Sequence, residues 1–229
     1  MIKAKKKISK REMKEDALVT AYVKATKFYE QNKKKISMGV TALAVIIIAS
    51  VLYANNQAQN NESASTQFGR VYQLYDSGQY QLAIDGMPER NIIGLRSIVD
   101  NYGSTRAGEL ARFYLANAYY QLGRYDESLE AFEDFSSDSR LLSVSRLSGI
   151  AACAAAKEQY RKAAEFFEKS AVNYPGDVSN AENLSNAAHN YALAGEKEKA
   201  LNLYGKLKKD HPTTAFGRDA ERFITQLSM

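Results

Sequence analysis

The sequence predicts an all-α protein: a single N-terminal transmembrane helix followed by a solenoid of helical hairpins. Three observations carry this expectation. Ile36 to Ala54 is an uncharged run of nineteen residues, and the whole chain of 229 residues, rich in Ala, Leu, Tyr and Glu, has only three prolines. In its second half, three segments align with one another at offsets of 35 and 37 residues.

The apolar run is the first element. At a rise of 1.5 Å per residue it makes roughly 28 Å of helix, close to the thickness of a bilayer's hydrocarbon core. A cleaved export signal has a shorter apolar core, of about 7–15 residues, and a small-x-small site after it. Here thirty-five residues precede the run, and Leu52, Tyr53, Ala54 and Asn55 offer no such site, so an uncleaved anchor is expected. Residues 1–35 carry a net charge of +8 and residues 55–229 a net charge of −3. The positive-inside rule therefore keeps the short basic segment in the cytoplasm and sends the larger part across. In a bacterium this is a single-pass protein of the inner membrane, with its C-terminal domain in the periplasm or at the cell exterior. The sequence pI of about 9.1 belongs to that basic segment and does not describe the surface of the rest.

Four segments follow: a basic cytoplasmic segment with an amphipathic helix (1–35), the transmembrane helix (36–54), a polar spacer (55–65) and the repeat domain (66–229). In the first, Ser9 and Glu12 stand at capping-box spacing. Leu18, Tyr22, Ala25 and Tyr29, with Ala21 and Phe28, make one apolar face opposite lysines suited to anionic lipid or ribosomal RNA. A topology signal is the simplest account of that segment. The spacer NNQAQNNESAS is rich in amides and serine. About 165 residues remain, enough for one domain with its own core. The single cysteine, Cys153, lies in GIAACAAAK, where a small buried residue is expected.

The aligned segments are LANAYYQLGRYDESLEAFEDF (Leu115 to Phe135), IAACAAAKEQYRKAAEFFEKSAVNYP (Ile150 to Pro175) and AAHNYALAGEKEKALNLYGKLKKDHP (Ala187 to Pro212). Gly123, Glu158 and Gly195 occupy the turn. Ser128, Ala163 and Ala200 follow as small residues, and Phe132, Phe167 and Tyr204 as aromatics. Two antiparallel helices need small residues where their axes approach, and the aromatics fill the wedge toward the next hairpin. This pattern resembles the tetratricopeptide repeat. The first segment matches it through Leu115, Ala116, Tyr119, Gly123, Tyr125, Ser128 and Phe132. The second departs at Ala154, where a tyrosine is usual, and the third at Lys197, where an aromatic is usual. A divergent first unit fits through Phe68, Tyr72, Tyr75, Gly78, Tyr80 and Ala83. Its second helix is interrupted at Gly86, Met87 and Pro88 and resumes at GLRSIVDNYG. DNYGSTRAGELAR (Asp100 to Arg112) echoes KDHPTTAFGRDAER (Lys209 to Arg222), with Thr105 and Thr214 as helix-capping residues. About four repeats are expected, followed by a capping helix from Ala215 to Leu227.

The arrangement of basic tail, single anchor, amide-rich spacer and small repeat stack is similar to the YfgM-type ancillary subunits of the Sec translocon. That resemblance implies a non-enzymatic protein-protein interaction module, ancillary to protein translocation or to the recruitment of periplasmic chaperones. Its partners would be proteins, among them the Sec translocon and periplasmic folding factors. A structural scaffold subunit of an envelope or other membrane complex is the alternative.

The residues themselves offer no catalytic constellation. His189 and His211 lack Cys or carboxylate neighbours at metal-ligand spacing; H-E-x-x-H, C-x-x-C and G-x-S-x-G are absent, and the glycines occur singly. Asp126 with Glu127 and Glu133 with Asp134 fall on solvent faces. No cofactor, metal, small-molecule substrate or specific nucleic acid is expected. Resemblance to the repeat implies a groove on the first helices, at Phe113, Asn117, Tyr120 and Gln121. In the following repeats the same positions are Ser145, Ser148 and Ala152, then Glu182, Ser185 and His189. Repeats that grip a C-terminal carboxylate use a Lys/Asn/Arg clamp, but Phe113 and Glu182 stand where lysines are needed. An extended or helical peptide is the expected ligand, although Phe113 and Tyr120 could equally serve to pack neighbouring helices.

Overall fold

A computed structural model describes the backbone of residues 10–229 and the side chains from residue 19 onward. The capping pair expected at Ser9 and Glu12 lies outside this description. The chain divides into two compact units, one up to Gln57 and the other from Ala58 to Met229. The helix α1 (Lys10–Asp76) contributes to both.

The described part of the first unit is helix only. One stretch of α1 is long and apolar enough to cross a membrane, and Val40, Leu43, Val45, Ile46, Ile47, Ile48, Val51 and Leu52 are all more than half exposed. Among the described residues none buries these side chains. Hydrocarbon is the solvent that suits such a surface.

The second unit begins inside the polar stretch. Residues 55–65, expected as a polar spacer, are helical. The segment contains neither Pro nor Gly, and one of its faces is already used: Ala64 is fully buried, and the Asn61 Oδ1 accepts the Ala107 backbone N–H at 2.9 Å. Val71 and Leu74 continue that face against Ala111, Leu115 and Tyr119. Then come α2 (Tyr80–Asp85), a two-stranded hairpin of β1 (Gly86–Met87) and β2 (Ile92–Ile93) around a 3-10 turn at Pro88–Arg90, and α3 (Leu95–Tyr102). The interruption expected at Gly86 to Pro88 is this hairpin. Gly86 has φ of +87°, and a Cβ on Gly94 would lie 2.1 Å from the Ile84 carbonyl oxygen, so the hairpin's two ends cross where only glycines fit.

The regular part consists of α4 (Arg106–Gln121), α5 (Tyr125–Asp134), α6 (Arg140–Ala156), α7 (Tyr160–Asn173), α8 (Asn180–Leu193), α9 (Lys197–Asp210) and α10 (Ala215–Ser228). Each helix packs mainly on its sequence neighbours, as a stack of hairpins requires. Four turns close the hairpins in one way. The N–H groups of Gln79, Arg124, Gln159 and Glu196 reach the carbonyls of Leu74, Tyr119, Ala154 and Tyr191 at 2.8–2.9 Å. The residue before each has positive φ: Gly78, Gly123, Glu158 and Gly195. This is the left-handed C-terminal helix stop. The small residues expected after the turns, Ser128, Ala163 and Ala200, are all fully buried, and Phe132, Phe167 and Tyr204 are buried beside them. Thr105 and Thr214 both cap, each accepting at Oγ1 from the N–H three residues on at 3.0 Å. Finally, α10 lays Ala220, Phe223, Ile224 and Leu227 against Tyr204 and Leu207, covering the end of the stack.

Candidate functional site

The first helices of three successive hairpins, α4, α6 and α8, share one cavity of about 400 Å³. Its floor is apolar because the core reaches the surface here. Phe132 and Phe167 are buried from below, and Val144, Gly149 and Ala152 belong to α6. Gly149 is required by contact: a Cβ there would lie 2.4 Å from the Phe132 ring. The ring therefore lies against the α6 backbone, and the space above it stays open.

Eight of the ten groove residues expected from sequence line this cavity: Phe113, Asn117, Tyr120, Gln121, Ser145, Ser148, Ala152 and Glu182. Ser185 and His189 do not; Ser185 is half-buried, and His189 is exposed on α8. In their place α8 presents Asn183 and Asn186. The cause is the register of that helix, whose inward face runs through Asn180, Asn183, Ala187 and Asn190. Asn186 resembles a clamp amide in sequence, but an asparagine in a helix reads as solvent-facing, which hid Asn183. The asparagine spacing of three, three and four residues along positions 180, 183, 186 and 190 was the signal available, since it is one helical face.

Several of these groups hold the wall. Asn183, 3% exposed, accepts from the Ser148 hydroxyl at 2.9 Å and donates to the Ser170 hydroxyl at 3.2 Å, tying α6, α7 and α8 together. Asn180 donates to the Ala171 carbonyl at 2.7 Å, and its Oδ1 lies 2.9 Å from the His211 Nε2. His211 thus belongs to the packing between repeats. Asn117 returns its amide to the Phe113 carbonyl at 2.8 Å. Phe113 is itself packed, with ring centroids 5.9 Å from Phe132 and 5.4 Å from Phe135, so it both lines the cavity and supports it. Burial beside Tyr125 pushes the Tyr120 phenol up from its ordinary range, which keeps it a neutral donor and acceptor at the rim.

The only ionisable carboxylate or cation in the lining is Glu182. Neither lysine nor arginine contributes, so a ligand's carboxylate has no counter-ion here. Among the described residues no group of three His, Cys, Asp or Glu is placed to hold a metal ion. Cys153 lies beneath the site, its thiol 3.1 Å from the Ser128 hydroxyl, which in turn donates to the Ala116 carbonyl. Burial pushes that thiol up, making it a core group and a poor nucleophile.

Residues 26–194 match the sequence profile of a tetratricopeptide repeat-like domain family. The match takes in the apolar run as well as the repeats up to the end of α8. Among solved structures, the chain is similar to nearly identical TPR-like repeats from Podosopora anserina, assigned to a kinesin light chain. The TM-score is 0.54 at 15% identity, over 71% of this chain and 83% of that one. A single-substitution variant of the same repeats gives the same figures. At that identity the likeness is one of fold. No curated protein sequence matches the chain.

Proposed function

Because the chain belongs to the tetratricopeptide repeat-like domain family, we propose that it is a non-enzymatic, membrane-anchored interaction module that holds a protein partner beside the site of protein export. The single observation that carries the binding role is the open cavity shared by α4, α6 and α8. Its floor is apolar, its rim is made of amides and hydroxyls, and its wall is fixed by the hydrogen bonds of Asn183. A rigid wall with polar groups at its rim suits a polypeptide segment better than a small reacting substrate.

The export setting rests on charge and on the anchor. The family match includes the apolar run. The lysine-rich flank before the run favours a cytoplasmic N-terminus, which leaves the repeats outside the cytosol, in the periplasm of a bacterium with an inner membrane. Partners there are translocation-channel subunits and periplasmic folding factors, as the likeness to YfgM-type subunits suggests. Two experiments test the reading. A photoreactive amino acid at Tyr120, on the cavity rim, should capture such proteins in cells, while the same group at Asp219 on α10 should capture far less; equal capture at both positions refutes the site. Protease added to sealed right-side-out spheroplasts should remove an epitope at Met229 and spare one at Met1, and the reverse pattern refutes the topology.

A further inference from the structure

Ring contacts continue beyond the cavity at Phe113. On its first-repeat side, Phe68, Tyr72 and Tyr75 from the last turns of α1 surround Tyr114 of α4, with ring centroids 5.2, 5.3 and 4.9 Å away. Tyr114 meets Phe113 at 5.8 Å, and Phe113 meets the cavity floor at Phe132. An unbroken line of aromatic contacts therefore joins the cavity to a surface on which Tyr72 is 36% exposed.

Elsewhere in the second unit, several rings carry one of the chain's own cations over a face. Arg124 lies 4.5 Å over Tyr119, Lys199 lies 4.7 Å over Tyr191 and Arg222 lies 4.8 Å over Phe223. Among the described residues none lies over Phe68, Tyr72, Tyr75 or Tyr114. An acidic group stands at each end of the line. Asp76 is near enough to Tyr114 to help hold its phenol proton, and Glu182 is on the far rim of the cavity. Neither has a cationic partner among the described residues. Ring faces and carboxylates both attract cations and repel carboxylates.

We propose that the cavity and the Tyr72–Tyr114 surface form one track for a polypeptide segment with an apolar centre and basic flanks: a large apolar side chain fills the cavity, and Lys or Arg side chains meet the rings beside Asp76 and the carboxylate of Glu182. This selectivity rests on the cavity being the partner site. It excludes acidic tails and free C-termini, and selects cationic apolar stretches.

The test uses the full chain in zwitterionic nanodiscs and calorimetric titration with N-acetylated, C-amidated peptides of sequence Lys-Ser-Phe-Leu-Phe-Ser-Lys. In two further peptides both lysines are replaced by Gln or by Glu. The Lys peptide should bind tightest, the Gln peptide about three- to tenfold more weakly, and the Glu peptide more weakly still. The double variant Asp76→Asn/Glu182→Gln should bring the three closer together, and Tyr72→Leu should weaken the Lys peptide selectively. Ala152→Leu, which fills the cavity, should abolish binding of all three while the helical circular dichroism spectrum is retained. Equal or tighter binding of the Glu peptide overturns the proposed selectivity and leaves the cavity as a peptide site. Binding that survives Ala152→Leu, or no binding by any of the three, overturns the track and the peptide site together.

Discussion

Glu158 holds the left-handed turn position that Gly78, Gly123 and Gly195 hold in the other hairpins, with φ of +57°. A side chain there costs strain that glycine avoids. Glu158→Gly should therefore stabilise the repeat unit by up to about 1 kcal/mol, and Gly123→Ala should destabilise it by about 1 kcal/mol; thermal unfolding followed by circular dichroism measures both. Gly149 is a different case, governed by contact. A methyl group at that position meets the Phe132 ring, so Gly149→Ala should cost about 1–3 kcal/mol as an overpacked site and should also disturb the cavity. Tyr75 adds a pH signature. Its phenol is pushed up to about 12, chiefly by burial and then by Tyr80, Tyr114 and Tyr72. The folded state thus retains the proton that the unfolded chain releases near 10, so stability is undiminished below pH 10 and falls as pH rises from about 10 to 12. Tyr75→Phe should shallow that decline in urea titrations at pH 9, 10.5 and 11.5, and an identical decline in both proteins contradicts the assignment. The roles of Glu158 and Thr105 were legible in sequence because local rules govern turns and caps. Those of Gly149 and Asn183 were not, since their partners are 17 and 35 positions away, at Phe132 and Ser148.

At the scale of elements, two kinds of helix start are visible. α4 and α10 begin on capped threonines, Thr105 and Thr214, while α5, α7 and α9 start directly after the left-handed turn without a side-chain cap. Both capped starts follow a completed hairpin, whereas α6 and α8, which also do, have no side-chain cap. At the capped starts Gly108 and Gly217 also pass so close to the carbonyls of Tyr102 and His211 that a Cβ would sit at 1.9 Å from each. Thr214→Ala should cost about 1 kcal/mol, and because α10 packs only on α9 and α8 the loss should show as faster hydrogen exchange confined to its first turns. Thr105→Ala, in an internal helix, should instead lower the stability of the whole repeat unit. The element least legible in sequence was α1. The stretch 55–65 resembles a spacer by composition, yet Asn61 and Ala64 already pack on α4. Polar residues in a helix read as solvated, and only the position of α4 shows which of them are covered.

For the repeat unit, stability is shared between neighbouring hairpins, and α10 packs on α9 and α8. Removing α10 should uncover Tyr204 and Leu207 and cost about 3 kcal/mol or more of apolar burial. α9 would then exchange its amides faster than α4, and uniform exchange across the stack would contradict this nearest-neighbour account. The first unit obeys a different constraint, since among the described residues its apolar side chains are left exposed. From the sequence alone came the helical class, the membrane-length run, the turn glycines, the small and aromatic packing positions and the two caps. All of these are properties of one residue or of a helical period, so local chemistry is enough to specify them. Tertiary structure decided the facing of α8, with Asn183 and Asn186 in the wall and His189 outside it. It also decided the joining of Phe113 to the Tyr114 cluster and the hydrogen bond of His211 to Asn180. Those depend on how far one helix is rotated against the next, and that angle is set by side-chain packing between hairpins, which no short stretch of the chain encodes.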